Sequence, residues 1–361
     1  MSRNIHCTYI SEKLSKIRWR PSTLNEPNSF VTASWDNHVN NVRLWEIRPR
    51  FMQQDEEIKD DEEINPCEIR DVAFDSDITE LKFINSDAIV VSTSNGDVFL
   101  FKITSSEGYE IDISQEICWK QIHKLDNGFT SSCTSFALYD SDIATIGEDG
   151  KINLLSVESQ IIFILLEEAD SCTLQCVEFL RYNELLTANQ RGILKIWDLR
   201  NNVNKAEQSF LLRDDAIVGP TAMAYHPTQR HIIMAGDDTG AITVWDLRQN
   251  THPLNVMRQH QDAISEIVFH QDRPDQFFSC GGGDVFQWTS LKQPSLSTNG
   301  LWYLLAGDFN KYDIYRLMPE LPVPVNSIDL SRDKMLCGAD NEAMYLIENV
   351  NVYNLYPNET P

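Results

Sequence analysis

The chain has 361 residues, 42% hydrophobic and 23% charged, an ordinary globular composition and length that can bury a core without a metal or disulfide staple. Its 54 acidic against 30 basic residues give a formal net charge of −24, a field that repels phosphate backbones and argues against direct nucleic-acid binding. Gly and Pro, at 15 and 14, are too few for a collagenous or low-complexity chain.

The opening MSRNIHCTYI lacks the apolar run of a secretory signal, and the longest aliphatic-aromatic stretch, Ile161–Leu166, is far too short to span a membrane. An intracellular, reduced protein without membrane insertion is therefore expected, with the sequon Asn358-Glu359-Thr360 unmodified. Cysteines at 7, 67, 118, 133, 172, 176, 280 and 337 form no CxxC pair; most sit in strand-like text, where a free thiol behaves as a small buried hydrophobe. No metal site is expected.

From residue 15 onward one phrase recurs: a polar turn, an alternating apolar strand, and a large apolar residue five positions past the turn. Its end residues are Trp45, Phe101, Leu155, Trp197, Trp245, Trp288 and Ile347, at intervals of 56, 54, 42, 48, 43 and 59. Before each turn lies a second strand (FVTASWD, AIVVSTSNG, DIATIGEDG, ELLTANQRG, IIMAGDDTG, FFSCGGG, MLCGADNE), and before that another (KIRWRP, ITELKFI, CTSFALY, LQCVEFL, TAMAYHP, ISEIVFH, VNSIDLS). With an outer strand added, four strands per unit and Trp-Asp endings at 197–198 and 245–246 resemble the WD-repeat family. The resemblance implies an all-β, seven-bladed β-propeller.

The units read as blades at about 15–48, 69–104, 117–157, 160–201, 208–249, 253–290 and 312–350, in one domain spanning 1–361. Residues 3–12 contain a strand-like CTYI with no place in the first unit. They are predicted to close the ring as the outer strand of the last blade, beside Tyr345-Leu346, because a ring of sheets leaves no long open edge when its ends share a blade. The hydrogen-bonded side-chain pin of an ideal WD blade is expected only in the sixth unit, through His260, Ser279 and Trp288, so packing would carry blades two, three and seven.

Two long connections stand out. Residues 51–66 place seven acids between Asp55 and Glu63, an acidic, solvated loop expected between blades one and two. Residues 290–311 lead from a polar start to Trp302, Tyr303 and Phe309, followed by Tyr312 and Tyr315; this aromatic group is expected to enter the core of blade seven, with Trp302 the alternative partner anchor.

No nucleophile elbow, phosphate loop or HExxH helix is present, and Gly281-Gly282-Gly283 lies between strands with no following helix. His226 and His270 end equivalent strands and mark a repeat position. No catalytic residue and no cofactor are expected. What remains is a rigid disc with loops on two faces, suited to binding proteins.

The segments 10–21, 29–37, 42–47, 143–155, 173–200 and 242–249, with VNSIDL and LCGADNEAMYL, resemble the nucleoporin forty-three family. That resemblance implies a WD-repeat structural subunit of the Y-shaped outer-ring scaffold complex of the nuclear pore. It implies docking on an α-helical solenoid subunit, nucleoporin eighty-five, and location at the nuclear envelope, with kinetochore association in mitosis. The propeller itself is expected to be monomeric. Rival readings are a free export or checkpoint adaptor, an enzyme using the channel, and a substrate receptor of a cullin-RING ubiquitin ligase. The last rests on WDxR at Trp197–Arg200 and Trp245–Arg248, where Arg200 and Arg248 would dock the adaptor. Arg181 and Arg230, basic residues on an acidic protein, are further partner-binding candidates.

Overall fold

The computed structural model describes residues 4–22, 28–47, 65–105, 111–200, 205–249, 251–290 and 312–350. These fold into seven four-stranded antiparallel sheets, with no helix among the described residues. In six sheets the strands follow chain order. The seventh adds Asn4–Tyr9 outside Ala343–Glu348. Each sheet's first strand packs beside the first strand of the next, and the seventh sheet's beside the first sheet's, so the sheets close into a seven-bladed β-propeller.

Position in the blade explains each strand's composition. Second strands such as Ser29–Ser34 and Asp142–Gly147 are buried on both faces because neighbouring sheets cover both, and they read as nearly continuous Val, Ile, Ala and Thr. First strands such as Leu14–Trp19 alternate, with one face on the neighbouring blade and the other on the central channel. Outer strands such as Asn4–Tyr9 are largely exposed. The turns between second and third strands need a left-handed residue. Gly96, Gly150, Gly192 and Gly240 supply it with φ between 71° and 82°, and a Cβ on Gly150 would meet the Asp170 carbonyl oxygen at 2.2 Å.

Packing is divided among seven apolar wedges, one between each pair of adjacent blades. The wedge joining blades seven and one holds Leu14, Ile17, Trp19, Phe30 and Trp45 from one side and Leu336, Met344 and Leu346 from the other. A β-bulge recurs near the start of every first strand, at Leu14/Lys16, Ile78/Glu80, Cys133/Ser135, Leu174/Cys176, Pro220/Ala222, Ile264/Glu266 and Val325/Ser327. In blades two, three, five and seven the bulged residue turns its side chain toward the next blade. Thr79, Thr134 and Thr221 each donate from Oγ1 to the first-strand carbonyl of Cys133, Leu174 and Ile264 at 2.6 Å, and Asn326 Nδ2 donates to Leu14 O at 2.9 Å. The last contact stitches blade seven to blade one at the inner rim.

The ring also closes at its outer rim, as the sequence predicts: His6 faces Leu346 and Cys7 faces Tyr345 in an antiparallel ladder from Asn4↔Glu348 to Tyr9↔Ala343. Other sequence expectations are phased differently. Pro66–Phe74, whose residues from 69 onward are expected from the sequence to head the second unit, is the outer strand of the first sheet; likewise Ile111–Trp119, Ile162–Leu166, Gln208–Leu211, Asn255–Arg258 and Tyr312–Arg316 complete the sheet before them. The sheets thus span 14–74, 78–119, 133–166, 174–211, 220–258, 264–316 and 325–348 with 4–9. It follows that the acidic stretch 51–66 joins the third and outer strands of blade one, and 290–311 those of blade six; apart from their ends, both lie outside the described residues, as does Trp302. Tyr312 belongs to blade six, where its ring meets Phe277 and Trp288 edge-on, and does not enter blade seven.

Candidate functional site

The seven phrase-ending residues, Trp45, Phe101, Leu155, Trp197, Trp245, Trp288 and Ile347, are all buried in the wedges between blades. Three of the tryptophans spend their indole N–H on the second strand of their own blade: Trp45 on Thr32 Oγ1 (2.9 Å), Trp197 on Thr187 Oγ1 (2.9 Å) and Trp288 on Ser279 Oγ (2.8 Å). Trp245 instead donates to the Leu212 carbonyl at 2.9 Å. In blade six His260 Nε2 lies 2.8 Å from the same Ser279 Oγ, so the sequence-assigned trio is assembled; burial pushes that imidazole down to about 4, leaving it neutral.

A second pin, not recognised in the sequence, holds blade three. His123 is fully buried, with Nδ1 2.9 Å from Asp149 and Nε2 3.0 Å from Thr145 Oγ1. Asp149 also accepts the Lys124 and Lys151 amides, so blade three does not rely on packing alone. In blade five Arg213 occupies the corresponding place and donates to buried Asp237 at 3.1 Å. His226 and His270 play matching roles, each Nδ1 accepting amide hydrogens of the following turn, from Thr228 and Gln229 and from Asp272 and Arg273.

The first strands line a central cavity of about 520 Å³. Its charges come from alternate strand positions: Lys16 and Arg18 from blade one, Glu80 and Lys82 from blade two, Glu178 from blade four, Glu266 from blade six and Asp329 from blade seven. Arg18 is the hub. Its guanidinium is paired with Glu266 and with Glu80 (3.3 Å) and donates to Ser327 Oγ (2.8 Å), whose hydroxyl passes its own hydrogen to Glu266 Oε2 at 2.8 Å. Glu80 also holds Lys16 Nζ at 3.3 Å, and Lys82 reaches Glu178 at 3.7 Å. Burial alone would raise the Glu80 carboxyl, but Lys16, Lys82 and Arg18 outweigh it and hold the group at about 2.

Asp329 behaves oppositely. Burial pushes it up to about 6 against the attraction of Arg18 and a 2.7 Å hydrogen bond from the Trp19 amide. The folded state therefore binds a proton at this site that the unfolded chain, with its usual value of 3.8, has released; stability contributed there falls as pH rises from about 4 to about 6. Asp329→Asn should accordingly stabilise the protein at pH 7.5 by about 1–2 kcal/mol, part of the full shift being lost to the group's partial exposure. The gain should shrink as pH falls through this window and vanish only below about pH 3.5, and equal urea midpoints for variant and parent at pH 7.5 would contradict it.

The exposed arginines have more local roles. Arg200 grips the Asp198 carboxylate through Nε (2.9 Å) and Nη2 (2.7 Å), and Arg248 grips Asp246 likewise at 2.9 and 2.6 Å. Arg181 is exposed at the end of the first strand of blade four, 3.7 Å from Glu184, and Arg230 is exposed on the turn between the first two strands of blade five. The structure does not bring these four arginines to a common site with the channel network. Among the described residues no group of three or more His, Cys, Asp or Glu is gathered as a metal site, and all eight cysteines are free.

No protein-family model matches the chain. The mouse protein named Nucleoporin Nup43 is 30% identical over 379 residues, covering 95% of this chain and 98% of its own. Its human counterpart is 29% identical over 96% of this chain and 99% of its own, and the Dictyostelium discoideum nuclear pore complex protein nup43 is 24% identical over 89% and 92%. Likeness that runs almost end to end in both partners, on a closed seven-bladed ring, places this chain in the Nucleoporin Nup43 family.

Proposed function

We propose that the protein is a non-enzymatic structural subunit of the outer-ring, Y-shaped scaffold of the nuclear pore, supporting protein and messenger-RNA transport from the nuclear envelope. The observation that carries this reading is the near full-length likeness to proteins named as nucleoporins. Within the scaffold the propeller docks on an α-helical solenoid subunit, nucleoporin eighty-five, and accompanies it to kinetochores in mitosis. A ring of sheets packed by seven wedges suits such work: it holds loops and rims in fixed relation without a moving part.

The WDxR ligase reading has less support. It needs Arg200 and Arg248 directed at an adaptor, whereas each is held as a fork by the Asp of its own motif. Tagging the protein at its native level and identifying what copurifies tests the proposal. Near-stoichiometric scaffold nucleoporins and a nuclear-rim signal are expected, unaltered by Arg200→Ala with Arg248→Ala. A ubiquitin-ligase adaptor recovered without nucleoporins, and lost in that double variant, would overturn it.

A further inference from the structure

The outer strand of blade three departs from every other outer strand among the described residues. Ile162–Leu166 reads IFILL, without a polar residue, whereas the other six each carry polar or charged side chains. An outer strand faces solvent on the rim, and such edges are normally blunted with charge. Here Ile161, just before the strand, and Ile162, Phe163 and Leu165 within it are 56%, 43%, 45% and 47% exposed. Scattered apolar residues on a surface need no explanation; four within five consecutive positions do.

The local geometry shows why they face outward. Leu154 pairs with Ile164 and Leu155 with Ile162, so Phe163 is the inserted residue of a β-bulge. Ile164 and Leu166 turn inward to the wedge between blades three and four. The bulge shifts the alternation, leaving Ile162 and Phe163 both on the outside. It also disrupts the ladder edge, so a partner would pack on the side chains and not extend the sheet.

Charge brackets the strip. Glu158 stands exposed before it, near Asp140 and Asp142, and Glu167 and Glu168 stand exposed after it. Together with the net charge of −24, these acids disfavour a second copy of the chain on the same patch and favour a partner carrying basic residues around its apolar contact. Five residues of strand cover about 17 Å, which matches roughly three turns of helix.

We propose that the blade-three rim, Ile161 to Leu165, is a docking surface for the apolar face of a partner helix flanked by Lys or Arg. This rests on the scaffold reading above, in which the partner is an α-helical solenoid subunit of the pore.

The test uses the full chain at native expression level with a photo-crosslinking amino acid in place of Phe163. A crosslink to a helical nucleoporin segment whose apolar positions are bordered by basic residues is expected. In parallel, Phe163→Glu with Leu165→Glu should reduce recovery of scaffold nucleoporins on the order of tenfold, with the melting curve kept. Should that pair perturb folding, Phe163→Ala with Leu165→Ala serves, with a smaller loss. Charge reversal at Glu158, Glu167 and Glu168 should weaken recovery further and flatten its dependence on salt. If nucleoporins copurify with the parent and equally with these variants, the rim proposal is overturned while the scaffold reading stands. A crosslink to another copy of this chain, or to an acidic segment, overturns it as well. Absence of nucleoporins from the parent preparation overturns both.

Discussion

Deleting residues 1–9 should lower the melting temperature by about 10 °C and make the protein prone to associate. The strand Asn4–Tyr9 pairs along its whole length with Ala343–Glu348. Losing a ladder of this size, at roughly 1 kcal/mol net per hydrogen bond, costs about 4–6 kcal/mol. In a chain this large each kcal/mol moves the midpoint by about 2 °C. The deletion also bares the third strand of blade seven as a new edge, with Tyr345 and Leu346 exposed beside it, and an open edge of that kind recruits other chains. Calorimetry with light scattering checks both parts. A deletion variant that melts with its parent would show that the inner stitch from Asn326 to Leu14, with its apolar wedge, closes the ring unaided.

The second large effect is expected at the channel hub. Arg18→Met removes the cation shared by Glu80 and Glu266 and leaves both carboxylates short of a partner in a half-enclosed site. Breaking a buried pair from one side costs about 3–5 kcal/mol, more than any surface pair in this protein would yield. The pH dependence separates this from lost packing. Glu80 is held at about 2 against an ordinary 4.5, so its contribution is fully present above about pH 4.5 and fades as pH falls toward 2. The deficit of the variant should be largest near pH 7 and narrow by pH 3.5. Adding Glu266→Gln to Arg18→Met should recover part of the loss. A deficit of equal size at both pH values would point to packing and not to charge.

How far the sequence foretold this depends on whether a signal was local. The wedge residues were legible because a large apolar side chain five positions past a polar turn is a periodic feature, and Trp45, Trp197 and Trp288 occupy it identically. The ring closure was legible too, since a strand with no unit to join and a blade with an empty outer position imply one another. Blade boundaries were less so. An outer strand sits close in sequence to the blade that follows, while the insertions at 51–65 and 291–311 separate it from its own sheet; proximity along the chain and hydrogen bonding then give different groupings.

The pin at His123 escaped notice because its partner Thr145 is 22 positions on, against 19 from His260 to Ser279, and Leu155 replaces the expected Trp. The channel charges lay in plain view as Lys16-Ile17-Arg18 and Glu80-Leu81-Lys82, alternating with core residues. Alternation shows that such side chains share a face. It does not show that seven such faces converge on one axis, which is a property of the closed ring. The rim strand is the reverse case: IFILL reads as core in the text and becomes a surface only when blade three is seen to have no further strand outside it.

The closing strand has one more consequence, and it concerns time. The strand Asn4–Tyr9 leaves the ribosome long before the strand it pairs with, because Asn4 pairs with Glu348. Blades one to six can assemble in order of synthesis, each on the wedge of the one before, since all their strands are contiguous in the chain. The seventh cannot. A nascent chain therefore carries an unmated strand Asn4–Tyr9 and an exposed flank of blade one, Leu14, Ile17, Trp19 and Phe30, until blade seven has been made. Completion of the ring is then a single long-range event, the slowest kind of contact for a chain to make, and the point in its biogenesis at which a folding chaperone would have most to protect.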